Sequence, residues 1–167
     1  QELYTRLTKA GTGTLVLSGN NTYGTGAVAI SGGEMRISAD NNLGNVNNTV
    51  NLSGGTLWVS SGLASLARKV STNGGALNVQ GASLSLTGTM TGGGGMTKLG
   101  LGQLVATLAC SRIGPTVLNA GSIKISGAAT SLGTGAITVN PGTMLELQEG
   151  IPNNVILADN TTVRKSD

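Results

Sequence analysis

One pattern constrains this chain more than any other. A three-residue unit, apolar–polar–apolar and bounded by Gly, Asn or Ser, returns about every ten residues. It stands at 15–17, 28–30, 35–37, 50–52, 57–59, 77–79, 84–86, 104–106, 123–125, 137–139, 145–147 and 155–157. Alternation of period two puts the outer residues of each unit on one face. The middle residue, as in Arg36, Asn51, Asn78, Lys124, Thr138 and Glu146, goes to the other. One face is therefore dry and the other wet. Strands this short bury little in a hairpin sandwich. Stacked as coils of a solenoid, they share one continuous core. Hairpins would carry Asn-Gly or Asp-Gly turns; Asn73-Gly74 is the sole Asn-Gly, and Asp-Gly is absent. The expectation is an all-β parallel β-helix (β-solenoid) of roughly eight coils, each of roughly 18–22 residues. At ~4.8 Å between stacked strands the rod is about 40 Å long.

Composition removes the competitors. Gly is 28 of 167 residues, against a typical ~7%. With Pro at 3 and no third-position period, the glycines are not collagen. A net charge of +3 and many β-branched residues argue against disorder. No long stretch is free of Gly, Ser, Thr and Asn, which argues against a helical bundle. Histidine is absent, and with it every imidazole base and every His-ligated metal site. The single cysteine, Cys110, makes no internal disulfide and reads as a small buried hydrophobe. The basic residues are scattered, and Tyr4, Tyr23 and Trp58 are the only aromatics, so nucleic-acid binding is not expected. No apolar run reaches the ~18 residues of a transmembrane helix. The opening Gln1-Glu2-Leu3-Tyr4 is no signal peptide, so if the protein is secreted the chain reads as a mature segment or a fragment of something longer.

A longer repeat overlies the short one. Leu7–Val16 matches Met96–Val105 at an offset of 89, and Ser31–Ser38 matches Asn119–Ser126 at 88. Asn42-Leu43-Gly44 matches Ser131-Leu132-Gly133 at 89, and Ser53–Leu57 matches Asn140–Met144 at 87. The chain thus reads as one solenoid segment over 1–167, with two diverged units at about 7–60 and 96–147 joined by 61–95. Leu7–Gly24 reads LTKAGTGTLVLSGNNTYG, and Thr130–Leu147 reads TSLGTGAITVNPGTMLEL. These residues resemble the autotransporter-associated β-strand repeat of bacterial type V secreted passenger domains. The second unit departs from that pattern at Ala109-Cys110-Ser111-Arg112-Ile113, where Asn-Thr-Tyr is expected. The resemblance implies a right-handed parallel β-helix at the bacterial cell surface, extracellular and associated with the outer membrane, acting as a structural stalk or adhesin.

No catalytic residue, metal site or cofactor is expected. The carboxylates Glu2, Glu34, Asp40, Glu146, Glu149, Asp159 and Asp167 read as solvated rather than as the close pair a glycosidase needs. Glu34, Arg36 and Lys124 would share an exposed face if the coils align, as a sugar-contacting cluster. Trp58, mid-triplet, should point outward as a sugar or protein contact. The glycine run 92–95 reads as a tight corner, and the turn asparagines as hydrogen-bonded ladders. Strand-like sequence runs to both ends, Tyr4–Leu7 and Val155–Arg164, without a polar cap. The ends should therefore continue into more protein or pair with another copy, end to end. Three functions follow: an adhesive or structural rod contacting surface glycans or proteins, a filament subunit, or a polysaccharide-active β-helix.

Overall fold

A computed structural model describes residues 6–166; Glu2, Tyr4 and Asp167 lie outside them. The described chain is a β-solenoid in which every strand pair is parallel. Its strands fall into three sheets of 5, 6 and 8 members. The first sheet holds β1 (Leu7–Lys9), β3 (Ala27–Ile30), β5 (Thr49–Leu52), β8 (Val70–Thr72) and β11 (Met90–Thr91). The second runs the whole rod, one strand per coil: β2 (Thr14–Val16), β4 (Glu34–Ile37), β6 (Thr56–Val59), β9 (Gly75–Val79), β12 (Met96–Leu99), β14 (Thr116–Leu118), β16 (Ile137–Val139) and β18 (Val155–Leu157). The third occupies the later coils: β7 (Ser65–Leu66), β10 (Ser83–Leu86), β13 (Gln103–Ala106), β15 (Ser122–Ile125), β17 (Met144–Leu147) and β19 (Thr162–Lys165). The early coils replace this third side with irregular corners, one of them a 3₁₀ turn at Asp40–Leu43. The late coils have no strand on the first side.

Eleven of the twelve triplets lie wholly on strands, and the twelfth, 15–17, runs one residue past the end of β2; the register stacks their outer residues into columns. One column inside the second sheet reads Leu15, Met35, Leu57, Leu77, Lys98, Leu118, Val139, Leu157. Most of these aliphatics are 0–1% exposed, each contributing about 1.5–3 kcal/mol by leaving water.

The same column shows what the triplet rule misses: a lysine inside. Lys98 Nζ donates to the Leu99, Gly100 and Ala120 carbonyls at 2.8–3.0 Å. Lys9, its counterpart at an offset of 89, makes the same three bonds to Ala10, Gly11 and Gly32 at 2.7–3.1 Å. Each ammonium reads two carbonyls of its own turn and one from the next coil, so it latches two rungs together. A glycine must cover each latch. A Cβ on Gly33 (φ +61°) would lie 2.6 Å from Lys9 Nζ, and one on Gly121 (φ +71°) 2.6 Å from the Gly100 oxygen. The Lys-x-Gly-x-Gly sequence is thus a structural device. Burial pushes the Lys98 amine down to about 8.

These paired lysines lie on different sheets, Lys9 on the first and Lys98 on the second. Four coils carry Leu7 to Met90 through the register. Its sequence counterpart Met96 therefore falls on the next strand, one face further round. The same shift takes β4 on the second sheet to β15 on the third.

Candidate functional site

The structure separates the three residues expected to form one exposed cluster. Glu34 and Arg36 lie on β4 in the second sheet, whereas Lys124 lies on β15 in the third. Stacking in a solenoid joins residues about one coil apart on the same side, and these positions differ in side as well as coil.

Trp58 does stand next to Arg36, because β4 and β6 pair Arg36 with Trp58. The guanidinium carbon lies 5.2 Å from the indole centroid, a cation–π contact. Arg36 Nε also donates to Glu34 Oε1 at 2.5 Å. Beside them lies a groove of about 210 Å³, lined by Val16–Ser18 of the first coil, Arg36–Ser38 of the second, and Trp58 and Ser60 of the third. Ser18, Ser38 and Ser60 follow their strands at equivalent positions, one hydroxyl per rung.

The third sheet carries a different arrangement at the matching place. Lys124, Glu146 and Arg164 stack in register. Glu146 is only 3% exposed, although the sequence places it on the wet face as a solvated group. Lys124 Nζ reaches its Oε1 at 2.9 Å and Arg164 Nη2 its Oε2 at 2.7 Å. The neighbouring cations supply the solvation that burial removes. Hydrogen bonds from Arg164 and then Lys124 hold its carboxyl down at about 2. A depressed folded-state value stabilises above the ordinary carboxylate range and loses that contribution as pH falls from about 4.5 toward 2. Glu146→Gln should therefore flatten the acid limb of a Tm-versus-pH curve in that window while leaving its shape above pH 6 unchanged. An acid limb of the parent slope in the variant would rule this clamp out as the titrating group.

Burial also corrects one repeat match. Leu57 and Leu145 are both inward and 0% exposed, whereas Met144 is half-buried, so the last match keeps the offset of 88 rather than 87. Arg36 and Trp58 of the first unit then correspond to Lys124 and Glu146 of the second. A cation on an aromatic ring is replaced by a cation on a carboxylate.

Two more cations are buried with no alternation pattern to mark them. Arg68, 2% exposed, bonds Asp40 Oδ1 at 3.0 Å, the Asp40 and Gly44 carbonyls at 2.8 and 2.9 Å, and the Asn45 carbonyl. It pins the 40–45 corner from the following coil. Arg112, 0% exposed, bonds Thr72 Oγ1, Thr116 Oγ1 and the Leu132 carbonyl at 2.7–3.0 Å. Cys110 is half-buried beside it, with Sγ 3.3 Å from the Thr130 carbonyl; burial raises its thiol pKa.

The asparagines mostly bond backbone rather than one another. Asn42 receives the Ser38 and Ala39 amides and donates to the Gly19 carbonyl of the preceding coil. Asn153 donates to the Gly133 and Gly135 carbonyls. Asn119 and Asn140 form a side-chain rung at 2.8 Å. The glycine run fits its corner, where a Cβ on Gly94 would lie 2.4 Å from the Asn73 Cα. Among the described residues, no three His, Cys, Asp or Glu cluster as a metal site, and no helix is long and apolar enough to cross a membrane.

The passenger-associated-transport-repeat family matches residues 7–37, the stretch that contains the Lys9 latch, Glu34 and Arg36. The chain carries an autotransporter passenger repeat. It is also 36% identical over 142 residues to the adhesin BmaC autotransporter of Brucella suis biovar 1 (strain 1330). That alignment covers 84% of this chain and 4% of the adhesin, so the passenger repeat spans a small part of that relative's length. No solved structure matches. The latch residues of the passenger repeat are explained by coil stacking, whereas Trp58 lies beyond the matched stretch and meets the neighbouring coil through its ring, on Arg36.

Proposed function

We propose that the chain is a non-catalytic, cell-surface or secreted β-solenoid that acts as a stiff adhesive stalk. The observation that carries this reading is the second sheet, eight parallel strands over one inner column that is aliphatic except at Lys98. Such a column gives a rod whose outer side chains are fixed at rung spacing, suited to display rather than turnover. The likeness to an adhesin supports the same reading. The carboxylates Glu34, Asp40 and Glu146 are each tied to cations, which leaves them poorly placed as a general acid and base. Beads coated with the folded chain are expected to attach to cells more than beads coated with a Leu57→Asp variant that breaks the column. Equal attachment would reject the adhesive reading, and release of reducing ends from plant or bacterial polysaccharides would reject the non-catalytic one.

A second reading is end-to-end assembly, with one observation behind it. Leu157 and Val163, which extend the inner columns at the last described rung, are 53% and 43% exposed. A further coil or a second copy would cover them. Sedimentation of the chain against a Leu157→Lys variant tests this reading; a parent chain that is monomeric across concentration would remove it.

A further inference from the structure

We propose that the groove beside Arg36 and Trp58 binds a neutral, hydroxyl-rich glycan chain running along the rod axis, an inference that rests on the adhesive reading and names its ligand class. The lining sets the chemistry. Trp58 offers an apolar indole surface of the kind that packs against sugar C–H faces. Arg36 holds that ring and commits only Nε, to Glu34; its terminal nitrogens make no hydrogen bond among the described residues. They remain as donors to ligand oxygens. Ser18 and Ser60 likewise make no side-chain hydrogen bond among the described residues, and Ser38 makes one to Asn42. Their hydroxyls repeat once per coil, at the ~4.8 Å of stacked strands, so a linear polymer along the axis meets equivalent groups in succession.

The other ligand classes fit less well. An extended peptide needs a free strand edge, but β4 and β6, which carry Arg36 and Trp58, are each paired on both sides, and the open edge of β2 points away from β4. A peptide would have to bind by side chains alone. An anion needs an unpaired cation, but Glu34 already neutralises Arg36. At the matching place of the second unit, the Lys124–Glu146–Arg164 clamp replaces the ring, and Ser126 bonds Gln148. The polar groups there bond each other, so the site belongs to the first unit alone.

Trp58 is the only tryptophan, so its fluorescence reports the groove directly. The test titrates the intact chain with neutral β-linked oligosaccharides of glucose and of N-acetylglucosamine, and separately with sulfated oligosaccharides. A saturable change with a neutral oligosaccharide is expected. Arg36→Gln should weaken it at least tenfold, whereas Asn119→Ala, just past β14 and three rungs along the same side, should leave it unchanged. Circular dichroism checks that each variant is folded. No change with any neutral oligosaccharide, a response to the sulfated ones alone, or an unaffected Arg36→Gln variant would each overturn the inference. The cell-attachment assay separates this from the parent reading. Attachment that survives Trp58→Ala sinks the groove and spares the stalk. Attachment absent from the parent chain sinks the adhesive reading, while the titration still judges the groove.

Discussion

Gly133→Ala is expected to unfold the chain at temperatures where the parent is stable. Gly133 adopts φ +79°, and a Cβ there would lie 1.9 Å from the Arg112 carbonyl oxygen and 3.0 Å from the Arg112 Cβ. Neither side can yield. The Arg112 backbone belongs to the adjacent coil and its side chain is locked in the core. Gly133 is itself tied by its amide to the Thr130 carbonyl and by its carbonyl to Asn153. Left-handed backbone alone costs an alanine about 1–2 kcal/mol. The backbone overlap should raise the loss to on the order of 4 kcal/mol or more, which for a chain of this size lowers Tm by roughly 10 °C or more. Gly142→Ala is the control. Its φ is +74°, with nothing within 4 Å of the added methyl, so it should show the conformational cost without the clash. Equal Tm losses in the two variants would mean that the approach of the two coils at Arg112 is not as tight as described.

Arg112→Met should be the second severe change. The guanidinium is fully buried, and no carboxylate pairs with it among the described residues. Its charge is solvated instead by Thr72, Thr116 and the Leu132, Pro115 and Gly94 carbonyls. Methionine fills similar volume but leaves these acceptors without a donor inside the core. Each unsatisfied acceptor costs about 1–3 kcal/mol, so a total loss of roughly 3–5 kcal/mol is expected by urea denaturation. Lysine should not rescue it, because one ammonium cannot replace a planar fork of five donors. Full stability in Arg112→Met would show that the corner at 127–135 is held by its backbone alone.

Both predictions rest on residues whose packing roles the sequence pattern does not assign. The apolar–polar–apolar triplets locate strands that bring two aliphatic residues inward. They miss β1, β8, β12 and β14, where the inward positions include Lys9, Thr72, Lys98 and Thr116, and β7, β11 and β19, which each bring a single apolar residue inward, Leu66, Met90 and Val163. A polar side chain facing inward looks, by alternation alone, like a break in the strand. What makes these positions tolerable is a partner a coil or more away, and such pairings depend on register, which the drifting turn lengths obscure. The repeat itself held the useful signal. Lys9 and Lys98 align with their glycines, and a residue kept in both units at an alternation-breaking position is best read as an internal latch. Trp58 was legible because only its direction mattered. Glu146 was not, since its burial depends on Arg164 stacking one coil later.

The latches also record a mismatch between repeat length and helical pitch. Counterparts at 88–89 residues sit one side further round a three-sided rod. A tandem series of such units would therefore turn through its three sides like a slow screw. Three units would bring a given feature back to its starting azimuth. A fibre built this way has no fixed front: whichever flank meets an opposing surface, some unit presents its irregular corner to it.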